Sequence, residues 1–599
     1  MSKKDPNVSV HELQPGVGPS GARTTSVSLE AGHTMDMHKR GSVVKDQVHM
    51  ADVQTSENYG VDISKGNLKR NLKGRHMQMI AIGGAIGAGL FVGSGGALRS
   101  GGPASLVICF IIIGIMMMMM MQALCELAVM YPVNGAFYGY IVRFMDPSWG
   151  FAIGWDYAIQ WLTILPFELT AASLTIRFWN DTINLGVWVA VFLVALTAIQ
   201  FFGVRGYGEV EFVLSMVKVL ACIGFIILGI IINTGGVPTD DRGYIGFRYW
   251  GNPGAFRNGF KGFCSVFVTA SFAFGGTELT GLAAAEANDP RKQIPKATRQ
   301  VFWRISLFYV LNLFILGLVV PSNSEVLLGS SGANTKASPF VLAMQMAGIK
   351  ALPSVFNAVI TIAVLSVANS ATYASTRTLQ AMALEKMAPK VLGLVDKKGR
   401  PIPTIILQLG FGLLAFVNEN KKAGGQLFTW LLALSGLANF FVYGSICVSH
   451  IRFRQAWAHN GHSVDELPYK AAFGVYGSYL GVLLNVMCLM ASFYAALFPI
   501  GGVPDAESFF ESYLAAPMII GLYLIWKAYS WFKYPTHRAL YVPINKIDIY
   551  TGMREGQFEV SGKDVPADQR RASIQLRNQQ TAEEREQKPL WKRILQAVF

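Results

Sequence analysis

The sequence predicts an all-α polytopic membrane protein, and three observations carry that prediction. Of its 599 residues, 52% are hydrophobic. Only 15% are charged, against about 25% in ordinary globular domains, and the mean hydropathy is +0.36. Apolar runs such as SLVICFIIIGIMMMMMMQALCELAVM, Ser105 to Met130, exceed the roughly 20 residues that cross a bilayer. A soluble chain would have to bury every such helix on all sides within its own core.

Hydropathy places about twelve spans, near 77–97, 103–130, 150–179, 186–203, 209–233, 262–284, 302–320, 353–383, 402–418, 427–449, 479–499 and 513–532. The connections that share a side with both termini include ANDPRKQIPKATRQ, EKMAPKVLGLVDKKGRP and SHIRFRQAW. They are denser in Lys and Arg than RSGG, NDTINLG and FPIGGVPDAESFFE on the other side. The positive-inside rule therefore puts both termini in the cytoplasm. The net charge of +14 is spread among these short loops, which makes it a topology signal rather than a nucleic-acid-binding face.

The chain divides into three parts. Residues 1–75 are polar, lack an apolar core and read as a disordered cytoplasmic tail. Its lysines Lys3, Lys4, Lys39, Lys45 and Lys65 are candidate sites for the ubiquitin ligase machinery. Residues 76–533 form the membrane domain. Residues 534–599 form a cytoplasmic tail ending in PLWKRILQAVF, a mixture of apolar and basic residues suited to a surface of membrane lipids. All six cysteines fall within predicted spans, so packing is expected of them rather than disulfides or metal binding. GSGGALRSGG lacks the Lys-Ser/Thr pair of a nucleotide-binding loop and follows no strand. With no nucleophile–base pairing either, the prediction is neither an ATP-driven pump nor an enzyme, with no cofactor beyond a coupling proton.

The first span contains AIGGAIGAGLFVGSGG, Ala81 to Gly96, in which seven of sixteen residues are glycine. Each costs about 1 kcal/mol relative to alanine in a helix interior. A second Gly-broken segment, SFAFGGTELTGLAAAE from Ser271 to Glu286, lies in the sixth span. One such segment fits close GxxxG packing equally well. Two at matching positions of five-span halves, about 77–233 and 262–449, point to a 5+5 inverted repeat plus two extra helices, the pattern of a secondary transporter. A helix interrupted at mid-membrane frees N–H and C=O groups that must face a ligand or water rather than lipid. Such N–H groups attract a carboxylate and such carbonyls an ammonium; a zwitterionic amino acid carries both.

The chain resembles the fungal amino acid permeases of the amino acid–polyamine–organocation superfamily, with a pattern near that of the general amino acid permeases. The resemblance rests on GGAIGAGLFVGSG, ELAVMYPVNGAFYGYIVRFMDPSWGFAIGWDY, LPFELTAASL, FAFGGTELTGLAAAE, SVANSATYASTRTLQAMALEKMAPK, KKGRPIP, WLLALSGLANFFVYGSICVSHIRFR and DIYTG, in that order. It implies twelve spans in the leucine-transporter-type fold and proton-driven uptake of L-amino acids across the plasma membrane. By position, Ile86, Gly87, Ala88 and Gly89 match the stretch that holds the substrate carboxylate. Ala88 stands where relatives often carry a hydroxyl, which leaves the backbone to bind. Phe274, Gly275, Gly276 and Thr277 match the sixth-span break that faces the substrate amino group and side chain. Gln160 and Ser435 match positions lining the side-chain pocket, and the small residues at 275 and 276 favour broad specificity.

Ionisable residues inside a membrane cost roughly 2.5–3.5 kcal/mol at a span centre and mark function by default. Glu278, directly after the sixth-span break, is the first candidate for proton carrier, with a permanently paired structural carboxylate as the alternative. Lys218 matches a family lysine that stands in for a sodium ion and ties the fifth span to the broken first one; snorkelling to the interface is its bland reading. The family resemblance places Glu168 near the substrate or its polar network, with a structural hydrogen bond as the alternative. Glu126, near the cytoplasmic end of the second span, fits an ion pair with a cytoplasmic loop better than proton coupling. The leading reading is a proton–amino acid symporter, and the rival is an amino acid receptor that signals with little net transport.

Overall fold

The computed structural model describes residues 74–553 except for short stretches, the longest being 328–337, together with a few isolated positions after 553. The tail 1–73, including the five lysines, and the terminal PLWKRILQAVF lie outside the described residues. Among the described residues the chain is helical and contains no strand. The helices are α1 Gly74–Ala85, α2 Ser94–Met130, α3 Phe137–Phe144, α4 Pro147–Ile176, α5 Leu185–Gln200, α6 Gly203–Asn233, α7 Gly259–Phe274 and α8 Leu279–Leu282. They continue as α9 Pro290–Val319, α10 Pro339–Met346, α11 Leu352–Leu384, α12 Ile402–Gly412, α13 Lys421–His459, α14 Gly474–Leu497, α15 Ala506–Tyr513 and α16 Ala515–Lys533.

Seven helical segments among them are long and apolar enough to cross a membrane, or eight if the bent pair α15–α16 counts as one span. Shorter apolar helices lie at Leu185–Gln200, Ser306–Val319 and Ile402–Val417. The first two predicted spans meet inside the segment Gly89–Met130. They are divided at Gly102, whose φ of 81° and ψ of 170° interrupt the helix. That corner is pinned where the Arg257 N–H donates to the Gly101 carbonyl and the Ala104 N–H to that of Ala255, both at 2.9 Å.

Two helices run further than the apolar pattern alone suggests. α9 begins at Pro290, inside a predicted connection, because proline at the first helical position sacrifices no hydrogen bond. α13 carries the basic SHIRFRQAWAH onward as helix to His459. The start of the C-terminal tail is docked on the body: Tyr131 donates to the Ile549 carbonyl at 2.6 Å and Arg143 to that of Thr551 at 2.7 Å.

Position in the bundle follows composition. The most apolar stretch of α4 is 89% buried and that of α14 only 28%, so α4 is central and α14 peripheral. On α6 the exposed Val213, Met216, Leu220, Ile223, Ile227 and Ile230 recur every three or four residues, a stripe that faces lipid. Between helices, where apolar burial gives little drive in a membrane, small residues allow close approach. Accordingly, Ser366 to Thr376 of α11, almost all Ala, Ser, Thr or Asn, are buried throughout, and α11 packs extensively on α4.

The six cysteines are all buried and free.

Candidate functional site

Both glycine-rich segments are broken where the sequence places the breaks. α1 ends at Ala85, Ile86 and Gly87 form a bend, and the chain resumes as a π-helical turn over Gly89–Gly93. α7 ends at Phe274; Gly275 is extended (φ −55°, ψ 141°), and Gly276 has φ 99° before α8 begins. The two breaks touch. A Cβ at Gly276 would lie 2.5 Å from the Gly84 carbonyl oxygen, and one at Gly89 would lie 2.6 Å from Ala273 Cα. Only glycine satisfies both the backbone conformation at 276 and these approaches.

The freed carbonyls are met by groups from distant helices. Lys218 of α6 donates to the Gly83 carbonyl at 2.5 Å. The Tyr309 hydroxyl of α9 lies 2.6 Å from the carbonyls of both Ala85 and Ala273, one from each break. Lys218 is fully buried, with Glu211 and Glu168 as its opposing charges. It thus contacts the broken first helix from the interior of the bundle, whereas a snorkelling lysine would reach an interface.

Glu278 is buried immediately after the second break. Its Oε1 accepts from Tyr157 of α4 and its Oε2 from Tyr443 of α13, each at 3.1 Å, and the Gly276 N–H donates to Oε2 at 3.0 Å. One carboxylate therefore ties the break to two separate helices. Glu168 of α4 faces the Ala88 N–H, with its Oε1 beside Gly87. Its Oε2 has no hydrogen-bond partner among the described residues.

A small cavity lies between these groups. It is lined by Gly87 and Gly89 of the first break, Gln160 and Glu168 of α4, Phe272 and Gly275 at the second break, and Val367 of α11, among others. Several expected site residues stand behind this surface. Phe274 stacks on Tyr309 at 4.7 Å between ring centroids. Thr277 spends its hydroxyl on the Phe274 carbonyl at 2.8 Å. Gly276 faces Gly84. Ile86 and Ala88 are buried and adjoin lining residues along the chain, and Ser435 is buried on α13. Glu126 stands apart. It binds Arg454 at 2.5 and 2.7 Å, His450 at 2.9 Å and the Ala471 N–H at 2.7 Å. That is a closed ion-pair network between α2, the extended end of α13 and the chain leading into α14.

Other polar groups at the site carried no motif in the sequence. Glu211 of α6 is fully buried, accepting from Ser366 and, at 3.4 Å, from Asn369 of α11. It sits beside Gly83, although its place near a span end reads as an interfacial charge. Asn439 of α13 accepts from Gln160 Nε2 at 2.7 Å and donates to the Ser271 carbonyl at 3.1 Å. An asparagine inside the apolar LALSGLANFFVYG was its only signal. Asp156 of α4 is buried with neither oxygen hydrogen-bonded among the described residues.

Comparison with known proteins identifies the family. The family model described as amino acid permease matches residues 76–538. The chain is 52% identical to the cationic amino acid transporter 1 of Schizosaccharomyces pombe over 491 residues, covering 81% of this chain and 82% of that one. It is 50% identical to the general amino-acid permease GAP1 of Saccharomyces cerevisiae over 520 residues, covering 86% and 85% respectively. A solved manganese transporter of Eremococcus coleocola aligns with a TM-score of 0.48 at 13% identity, covering 80% of this chain and 100% of that one. The protein, a multi-pass membrane protein, belongs to the amino acid permease family.

Proposed function

We propose that this permease is a proton-coupled symporter that imports a broad range of L-amino acids across the plasma membrane by alternating access. In this reading both termini are cytosolic and twelve spans adopt a leucine-transporter-type inverted repeat. One observation carries it: two broken helices converge on one small cavity, with a carboxylate at each break.

An amino acid fits this arrangement through its two charged ends. Its carboxylate takes the backbone amides around Gly87, Ala88 and Gly89, which need no side-chain hydroxyl, and its ammonium takes the second lone pairs of the carbonyls at the end of α7. Glu168 now faces the same Ala88 amide, so a proton on Glu168 removes a competing anion as substrate enters. Glu278 is the second proton-binding carboxyl. Ionised, it accepts from α4, α13 and the break together. A proton on it replaces an acceptor with a donor, loosens that tie, and lets the broken helix move relative to α4 and α13. Lys218 holds the first break in place as a fixed cation.

The test is uptake of labelled amino acids by a transport-deficient yeast expressing the protein at its surface. Uptake is expected to rise at acidic external pH and to collapse when a protonophore removes the gradient. Protein present at the surface without uptake at acidic pH would sink the proposal.

A further inference from the structure

Asn439 stands between two walls of the cavity, and the direction of its hydrogen bonds follows from the backbone. The Ser271 carbonyl can only accept, so Asn439 must present its Nδ2 there, at 3.1 Å. Its Oδ1 is then left for Gln160, which must answer with Nε2, at 2.7 Å. Gln160 Oε1 is thereby turned away from Asn439. That oxygen is buried and has no partner among the described residues, and it belongs to a residue that lines the cavity. Asn439 also fits closely against the break, since a Cβ at Gly275 would lie 3.1 Å from its Nδ2. The lining includes no lysine, arginine or histidine, and Glu168 is its ionisable member.

We propose that Asn439 is a specificity-determining residue that holds Gln160 Oε1 as a hydrogen-bond acceptor beside the cavity. This favours amino acids whose short, uncharged side chains donate a hydrogen bond, such as serine, threonine and asparagine, over apolar side chains of the same shape. The inference rests on the amino acid transport proposed above and narrows it. The physical reason is asymmetric. A hydroxyl satisfies the buried acceptor, whereas a methyl group in its place seals that acceptor off from water unpaired, at a cost of about 1–3 kcal/mol.

Threonine and valine differ only by hydroxyl against methyl, and so do serine and 2-aminobutyrate. The experiment measures kcat/KM for uptake of each labelled pair, with surface amounts determined in parallel. In the wild type threonine is expected to exceed valine by at least about tenfold. In Asn439→Ala that ratio, measured on the protein that reaches the surface, should fall towards one, because Gln160 is free to turn. Asn439→Ser, which keeps a donor but is too short to bridge to Gln160, should do the same and covers the case in which the alanine variant does not reach the surface. A wild-type ratio near one overturns the proposal, as does a ratio that survives in either variant while both substrates are carried. Absence of all uptake by surface-exposed wild type defeats the transport reading itself, a distinguishable failure that takes the subsite with it.

Discussion

The Glu278 carboxylate accepts a hydrogen bond from the Tyr157 hydroxyl at 3.1 Å across 121 residues of sequence. With Tyr443 on its other oxygen, it joins the break after α7 to α4 and α13. Removing its charge while keeping its shape should uncouple transport. In Glu278→Gln, accumulation of labelled amino acid against a gradient is expected to fall at least about tenfold, while exchange of internal for external amino acid in vesicles persists. Retention of gradient-driven accumulation by this variant would exclude Glu278 as the carrier.

The glycines of the first broken helix differ in what surrounds them. A Cβ at Gly89 would strike the backbone of Ala273 at 2.6 Å, whereas one at Gly96 meets nothing within 4 Å. Gly89→Ala should therefore abolish uptake or surface delivery. Gly96→Ala should leave both intact, with a stability gain of up to about 1 kcal/mol from helix propensity. Equal behaviour of the two variants would mean that the breaks do not pack as described.

Lys218 and Glu211 flank Gly83 and are both fully buried. Lys218→Met leaves two carboxylates without their cation and should lower stability by about 3–5 kcal/mol, read as a fall in the melting temperature of the detergent-solubilised protein. Adding Glu211→Gln should recover part of that loss, because coupled charges are not additive. Strict additivity would place them in separate networks.

Glu126 is bound by Arg454, His450 and the Ala471 N–H, with no hydrogen bond to the cavity lining among the described residues. Glu126→Gln should reduce thermal stability by about 3 kcal/mol and leave KM unchanged. A shifted pH profile for uptake, with stability preserved, would instead return Glu126 to the coupling machinery.

Just beyond the C-terminal end of α11, burial pushes the Glu385 carboxyl up to about 7 from its ordinary 4.5, against the opposing influence of Tyr138 and Arg143. The sign follows from linkage. Below about 4.5 the group is neutral in both the folded and unfolded chain. Between 4.5 and 7 only the unfolded chain releases its proton, so stability falls as pH rises, and above 7 the loss is complete. Glu385→Gln should remove this slope and melt higher than wild type at pH 8, with little difference at pH 4.5. Parallel melting curves across that range would show that Glu385 is not enclosed.

Much of this protein could be read in one dimension. Glycine spacing located both breaks, because a residue that weakens helices is conspicuous in an apolar run. Lys218 and Glu278 were conspicuous for the same reason, as charges where charge is costly. The partners were not legible. Tyr157, Tyr309, Asn439 and Tyr443 are ordinary members of apolar segments, and nothing along the chain indicates that their polar ends converge on the breaks. Glu211 was hidden by its position near a span end, where a carboxylate normally reaches water. Phe274 and Thr277 lie within the broken segment, yet the rotation of the chain at Gly275 and Gly276 sends Phe274 to Tyr309 and the Thr277 hydroxyl back to the Phe274 carbonyl.

By itself, then, the sequence determined the membrane class and the places where helices must stop, since these follow from local hydropathy and backbone freedom, and its motifs carried the resemblance to the family. Only the tertiary structure decided which freed backbone groups remain available to a ligand. Lys218 takes the Gly83 carbonyl, the single Tyr309 hydroxyl proton lies within reach of the Ala85 and Ala273 carbonyls and serves one of them at a time, and Glu168 faces the Ala88 amide. In a membrane interior every such group must find a partner, and those partners lie on helices remote in sequence that only packing brings together.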